Sequence, residues 1–524
     1  MRKLSTLFCA VLMTLSAMAT DYKGNLTVSI NGEGSTQPAT ISIVENAGKY
    51  NLSILNFMLG EGESVLPVGN IVIENVTGAV AGNLTTLYVN KNITIQKGNV
   101  ADIADDAWLG PMLGEVPVKM SSSFNTNGFL GVNIDIDMVS TLGQVIKVTF
   151  ENVGTHFQMP NSDFETWSTA NNAPKNWHGF ESVTGKFSST ANKGVKLRSS
   201  SNVRPGSTGK TSAVVTCTKV LTVIANGTMT NGRLAAGSMS AKDPANHSET
   251  NLSSTDKDAN GDPFATPMYA KPDSVKFWMR FTQAKAQASN PYAAFNAVIT
   301  DGTYYQDPEN KTYTNKVAVA APNDADMTVG DWRLVSCPFD YDSYADNGAE
   351  AKAILLTVST NAKPGKGSYS NGVADSVYVD DLELVYLADI KSVSFKGATL
   401  DLTNTDIDIA DDDVISANDF VVEKIGEDAK VTTLVEANAK GYQAVISVVS
   451  GDLNTQKTLV FNFNKPVWAD GDVNHDGVVD LADVTLLINK VLNDDATQLY
   501  NPDVNADGNV DVADVTTLVS LILG

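Results

Sequence analysis

The chain is 524 residues long and carries 37 basic against 60 acidic side chains, a formal net charge of −23. That length predicts about three or four domains. The acidity excludes nucleic acid as a natural partner.

The first residues read as a secretory leader. Arg2 and Lys3 precede an apolar run from Leu4 to Met13, and Ala17-Met18-Ala19 forms a small-x-small cleavage site. Cleavage after Ala19 predicts a secreted or extracytoplasmic protein, in the periplasm or at the cell surface. Cys9 lies inside the apolar run, too early for a lipid anchor. No other apolar stretch reaches the roughly 18–20 residues a membrane helix needs, so the chain is not expected to span a membrane. Export permits a disulfide between Cys217 and Cys337. Two buried free thiols fit the strand-like runs around them equally well.

Residues 20–158 predict an all-β domain. Asn25-Leu26-Thr27-Val28-Ser29-Ile30 and Gly131-Val132-Asn133-Ile134-Asp135-Ile136 alternate polar and apolar side chains, and Asn31-Gly32 and Asn127-Gly128 are hairpin turns. Short strands at regular spacing predict an up-and-down barrel or a sandwich. The segment resembles the calycin-like β-barrel module of secreted bacterial proteins. Such barrels hold a ligand or fill with side chains, and a filled barrel is the plainer expectation.

Residues 159–388 open with Asn161-Ser162-Asp163-Phe164-Glu165-Thr166-Trp167 and close with Val377-Tyr378-Val379-Asp380-Asp381-Leu382-Glu383. This bracket resembles jelly-roll carbohydrate-binding modules, in particular the carbohydrate-metabolism domain of secreted bacterial proteins. The resemblance implies neighbouring first and last strands and a structural calcium shared by Glu165 and Asp381, with Asp380 next in line. It also implies a polysaccharide or glycan ligand. Sugar sites need flat apolar platforms beside polar groups. Tyr304, Tyr305, Tyr341 and Tyr344 lie in polar, turn-rich stretches and are the candidate platforms. Trp278 and Trp332 are expected in the core. Asp256 to Gly261 mimics half a calcium loop, but its twelfth position is Pro267, so a plain loop is expected.

Residues 389–466 predict a small β-sandwich spacer, with the acidic run Asp406 to Asp413 as a solvated loop.

Residues 467–524 contain one twelve-residue loop written twice, D-x-N-x-D-G-x-V-D-x-x-D. Calcium takes six to eight oxygens, and such loops supply them from positions 1, 3, 5, 7, 9 and 12. The first copy offers Asp472, Asn474, Asp476, the Val478 carbonyl, Asp480 and Asp483. The second offers Asp503, Asn505, Asp507, the Asn509 carbonyl, Asp511 and Asp514. Gly477 and Gly508 take the sharp turn at position 6. His475, at position 4, is expected to face solvent. Apolar stripes follow each loop: Val484, Leu487, Ile488, Val491 and Leu492, then Val515, Leu518, Val519, Ile522 and Leu523. Their spacing predicts one helix after each loop, stripe against stripe.

This loop–helix repeat resembles a type I dockerin. The resemblance implies two calcium ions and docking to a cohesin-like or other protein partner. Scaffold-binding dockerins often carry Ser-Thr just before the last ligand. Here Leu481-Ala482 and Val512-Ala513 stand there, which leaves the partner open. A calcium-stapled cap with no partner is the alternative.

Catalytic signals are few. The four histidines, His156, His178, His247 and His475, form no zinc spacing, and no nucleophile elbow or phosphate loop occurs. The fold expected is mostly β: a barrel, a jelly-roll sandwich and a small sandwich, then a small helical calcium-binding module. The role expected is glycan binding with calcium-dependent docking. A glycoside hydrolase or lyase with an unrecognised carboxylate pair, and a structural surface protein, are the alternatives.

Overall fold

A computed structural model describes residues 19–60, 65–152, 158–168, 173–192, 197–220, 222–493 and 499–524. The leader at residues 1–18 and His156 lie outside the described residues. Two compact units result, one of residues 1–392 with 422–432 and 446–458, the other of residues 393–421, 433–445 and 459–524. Among the described residues no helix is long and apolar enough to cross a membrane.

Eight strands from Ala19–Ile30 to Gln144–Asn152 form a closed barrel, each paired with its chain neighbour and the last with the first. Closure is antiparallel, with Leu26 opposite Phe150. The period-2 alternation explains the interior: Leu26, Ile41, Leu52, Ile73, Met120 and Phe150 are all buried in one cluster. The void among the inward side chains is about 40 Å³, lined by apolar residues only and far below the roughly 300 Å³ of a small-molecule pocket. The barrel is therefore filled.

The 159–388 region folds as two stacked antiparallel sheets. One has the strand order Gly330–Pro338, Ser274–Thr282, Ser376–Val385, Ser212–Thr216, Leu197–Ser200. The other runs Thr228–Thr230, Ala353–Ser359, Ala294–Thr300, Lys316–Ala320, with Thr266–Pro267 added on Ala353–Ser359. Their inner faces meet where Phe277 stacks on Phe295, ring centroids 4.1 Å apart. The opening segment does lie beside the final strand: Leu382 N–H donates to Ser162 O at 3.0 Å and Leu384 N–H to Gln158 Oε1 at 2.8 Å.

Trp278 and Trp332 are not core residues. In Ser274–Thr282 the buried phase is Val275, Phe277, Met279 and Phe281, so Trp278 shares the outer face with Lys276 and Arg280. The Arg204 guanidinium lies 5.3 Å from its ring centroid. Trp332 donates from Nε1 to Asn202 Oδ1 at 3.0 Å. Trp278→Ala should therefore cost about 1–2 kcal/mol in thermal unfolding, not the roughly 3–5 kcal/mol of a core tryptophan.

Cys217 and Cys337 are buried free thiols. Burial pushes the first up to about 12 and the second up to about 11, so neither is a ready thiolate.

In the 389–466 region a three-stranded sheet of Ala398–Thr399, Asp389–Phe395 and Phe420–Ile425 accompanies a four-stranded one. Phe395, Phe420 and Phe463 pack together. The acidic run is not wholly loop: Asp406–Asp408 is a strand, parallel to Gln456–Asn464.

The tail holds the two expected helices, Leu481–Asn493 and Val512–Leu523. Val473, Val484, Leu487 and Leu518 form their shared core. The stripes fray at their ends, for Leu492 is 71% and Leu523 80% exposed.

Candidate functional site

The two tail loops have the same backbone and the same hydrogen bonds. Position 4 is left-handed in both, His475 at φ 57° and Ala506 at φ 58°, and Gly477 and Gly508 follow at 90° and 89°. Position 1 accepts twice: Asp472 from Asp476 N–H and Gly477 N–H, Asp503 from Asp507 N–H and Gly508 N–H, all at 2.8–3.2 Å. Position 12 closes each loop. Asp483 accepts from Asn474 N–H at 3.1 Å and Asp480 N–H at 2.9 Å; Asp514 accepts from Asn505 N–H at 3.1 Å and Asp511 N–H at 2.8 Å.

The donor set fits calcium. Asp483 and Asp514 are both fully buried and Asp472 nearly so, beside an apolar core. Buried carboxylates need a compensating charge, yet from residue 470 onward the sequence has eleven Asp and one basic residue, Lys490. Hard oxygen donors in number call for a hard divalent cation. Among the described residues no three His, Cys, Asp or Glu side chains stand ready as a cage. Each loop's set is mixed, with an Asn amide and a backbone carbonyl, and its carboxylates are turned to N–H groups.

His475 does not face solvent. Its ring is stacked between Trp468, at 4.4 Å, and Tyr500, at 3.9 Å, and its side chain is 10% exposed. The stack ties the first loop to the segments on either side of it.

Glu165 and Asp381 are satisfied separately. Glu165 Oε1 accepts from Lys210 N–H and Thr211 N–H, each at 2.8 Å. Asp381 forms an ion pair with Arg204. Its backbone is left-handed at φ 42°, where the strand bulges. Asp380, fully buried, is pushed up to about 6 by burial, against the Arg204 N–H it accepts. An arginine already supplies the positive charge that a third calcium would have brought, so the jelly-roll metal site is not supported.

A deep cleft lies elsewhere, on the outer face of the second sheet. It holds about 610 Å³. Thr228, Asn296, Thr357 and Ser359 alternate with core residues along their strands and line it from the sheet. Phe180, Phe187, Val220, Val223, Leu234 and Met239 line it from the surrounding loops and short strands. Hydroxyls pair across the sheet side: Thr228 with Ser359 at 3.1 Å, Ser248 with Thr357 at 2.6 Å. Asp307 accepts from Asn296 Nδ2 at 2.9 Å, and burial raises its carboxyl above the usual range. Nearby Glu249 is held below that range by its bond from His247, with Tyr304 OH donating at 2.8 Å.

Of the four tyrosine candidates, Tyr304 alone is both exposed, at 39%, and near this cleft, its hydroxyl 3.5 Å from His247 Nε2. Tyr305 is 2% exposed and belongs to a core with Val298, Tyr313 and Leu355, so it offers no platform. Alternation along Tyr305–Asp307 turns adjacent tyrosines to opposite faces. Tyr341 packs against the sandwich core and donates to Pro272 O at 2.8 Å. Tyr344 lies under Lys316 Nζ, 4.7 Å away.

The Asp256–Gly261 stretch is a loop, as expected, but Asp258 within it is structural. Its side chain is 1% exposed, 3.6 Å from the fully buried His178 ring. It accepts from Asn260 N–H and Asp262 N–H at 2.8 and 2.9 Å. Sequence reasoning gave neither residue a structural role.

Residues 18–153 match the calycin-like beta-barrel domain family and residues 470–523 the dockerin type I domain family. The protein is thus of the multimodular class, with a calycin-like β-barrel at one end and a type I dockerin at the other. Neither match covers the sandwich between them. The dockerin assignment brings calcium binding and a cohesin-type protein partner with it. No curated protein matches the chain. Among solved structures it is similar to a Bacteroides fragilis protein provisionally designated an outer membrane protein, with 12% identity over 65% of this chain and 96% of that one, TM-score 0.17. It is also similar to the catalytic domain with the CBM51-1 and CBM51-2 domains from Clostridium perfringens ZmpB, with 12% identity over 86% of this chain and 40% of that one, TM-score 0.14. At such TM-scores neither likeness bears on the fold or the function.

Proposed function

We propose that this is an extracytoplasmic protein that binds a glycan in the 610 Å³ cleft and is held on a partner by its calcium-loaded tail. The tail takes two ions, one per loop, and docks to a cohesin-like protein. The observation that carries the docking half is the duplicated hydrogen-bond network of the two loops. The glycan half is supported by the cleft, which combines apolar walls with hydroxyls and amides, as saccharide sites require.

The test is retention of the full chain, with calcium, on a panel of polysaccharides, scored together with release of reducing ends. Retention without release is expected. Thr357→Trp, which fills the cleft from its sheet side, should weaken retention at least about tenfold. Equal retention by that variant would place the glycan elsewhere.

A second reading has one observation in its favour. Asp307 lines the cleft and its carboxyl is raised by burial, as a general acid requires. Release of reducing ends, lost in Asp307→Asn, would make the protein a polysaccharide-cleaving enzyme. Neither retention nor release would leave a structural surface protein.

A further inference from the structure

We infer that the cleft selects an anionic saccharide, one carrying carboxylate or sulfate groups. This rests on the glycan reading above and deepens it. Within a chain of net charge −23, three lysines line the cleft: Lys242, Lys363 and Lys366. All three are exposed. Among the described residues none of the three is in an ion pair, whereas Lys276, Lys316, Lys352, Lys391 and Lys396 all are. Other described lysines, Lys210 and Lys257 among them, also stand outside any ion pair, so the signal is the gathering of three around a cleft whose lining holds one carboxylate, Asp307. Three on one cleft of an acidic protein create a local positive field against the background.

They are also gathered. Lys242 follows a turn that packs against the loop bearing Lys363 and Lys366: a Cβ built at Gly365 would lie 3.1 Å from Ala241 Cβ. The three side chains therefore stand on one lip of the cleft.

A second observation lies beneath that lip. Asn361 lines the cleft, is 1% exposed, and its Nδ2 has no hydrogen-bond partner among the described residues. Its Oδ1 accepts from Lys363 N–H at 2.8 Å, which fixes the amide and leaves the donor end unsatisfied. Neighbouring Asn226 gives its own Nδ2 to Asn361 O at 2.7 Å, and its buried Oδ1 is also unpartnered. A buried donor without an acceptor costs about 1–3 kcal/mol, so such groups are retained where a ligand completes them. A carboxylate or sulfate oxygen completes an N–H donor, and its charge is met by the lysines above. The apolar walls accept the sugar's CH faces.

The test measures binding of the full chain to polygalacturonate and to chondroitin sulfate, against xylan and mannan as neutral chains. Expected is binding to one or both anionic chains, falling at least about tenfold between about 0.05 and about 0.5 M salt. Polygalacturonate alone would identify a carboxylate ligand, and chondroitin sulfate alone a sulfate-dependent one. The triple variant Lys242→Ser, Lys363→Ser, Lys366→Ser should bind the anionic chains about tenfold more weakly with an unchanged melting curve. Thr357→Trp should abolish binding. Equal, salt-insensitive binding of xylan or mannan would overturn the anionic assignment and leave the glycan reading standing. So would a triple variant as tight as its parent. Binding to none of the four chains would overturn the anionic assignment, and the glycan reading then rests on its wider panel.

Discussion

Removing calcium is expected to unfold the C-terminal tail while the β-domains stay folded. Each loop buries its position-12 carboxylate completely, and eight Asp in the two loops repel one another with one basic residue nearby in sequence. A ligand that binds only the native state stabilises it by about 2.7 kcal/mol at a hundred times its dissociation constant. The tail's own core is small, with Val473, Val484, Leu487 and Leu518 its buried members, so loss of the ions leaves little to hold it. In limited proteolysis of the full chain, cleavage between residues 470 and 524 should appear with chelator and vanish when calcium is restored. Asp483→Ala should reproduce the first loop's share of this in calcium. It also frees the Asn474 and Asp480 N–H groups it now satisfies. Because Leu487 and Leu518 share one core, the second helix should loosen as well. An unchanged cleavage pattern in excess chelator would refute the calcium dependence.

The second large effect is expected at Asp258. Burial raises its carboxyl, but His178 and the N–H groups of Asp262 and Asn260 outweigh that and hold it at about 2, below the ordinary 3.8. A depressed carboxyl contributes stability that is present above the unfolded value and is lost as pH falls through the folded one. The window is therefore pH 3.8 to about 2, and the shift corresponds to about 2 kcal/mol. Asp258→Ala removes the carboxylate outright. It leaves two part-buried N–H donors without their acceptor and removes the carboxylate 3.6 Å from the His178 ring, at a cost of about 2–4 kcal/mol. Thermal unfolding of parent and variant should differ most near neutral pH and converge towards pH 2. A variant that melts with its parent at pH 7 would show that the contact is dispensable.

How much of this was legible follows from distance along the chain. The tail loops are local: twelve residues carry every proposed calcium ligand, so spacing alone locates the loops and both turn glycines. The barrel is nearly as local, since period-2 alternation fixes which face of each strand goes inward. The same rule was available at Trp278, whose neighbours Lys276 and Arg280 share its phase, and it would have turned that ring outward. It was available again at Tyr305, one residue from the exposed Tyr304. The cleft was not legible. Its lining comes from Phe180 to Ala191, Val220, Val223 to Ser248, Ala294 to Pro308 and Thr357 to Lys366, which meet only once the strands of the second sheet have paired and the loops have folded over its outer face. The Trp468–His475–Tyr500 stack is hidden for the same reason, because ring contacts between loop segments leave no periodic trace. The Arg204–Asp381 ion pair joins residues far apart along the chain.

The most direct measurement is a calorimetric calcium titration of the full chain, beside the double variant Asp472→Ala, Asp503→Ala. Two ions bound per chain, lost in the double variant, is the predicted result. Calcium binding that survives unchanged in the double variant, or no binding by the parent, would contradict the account.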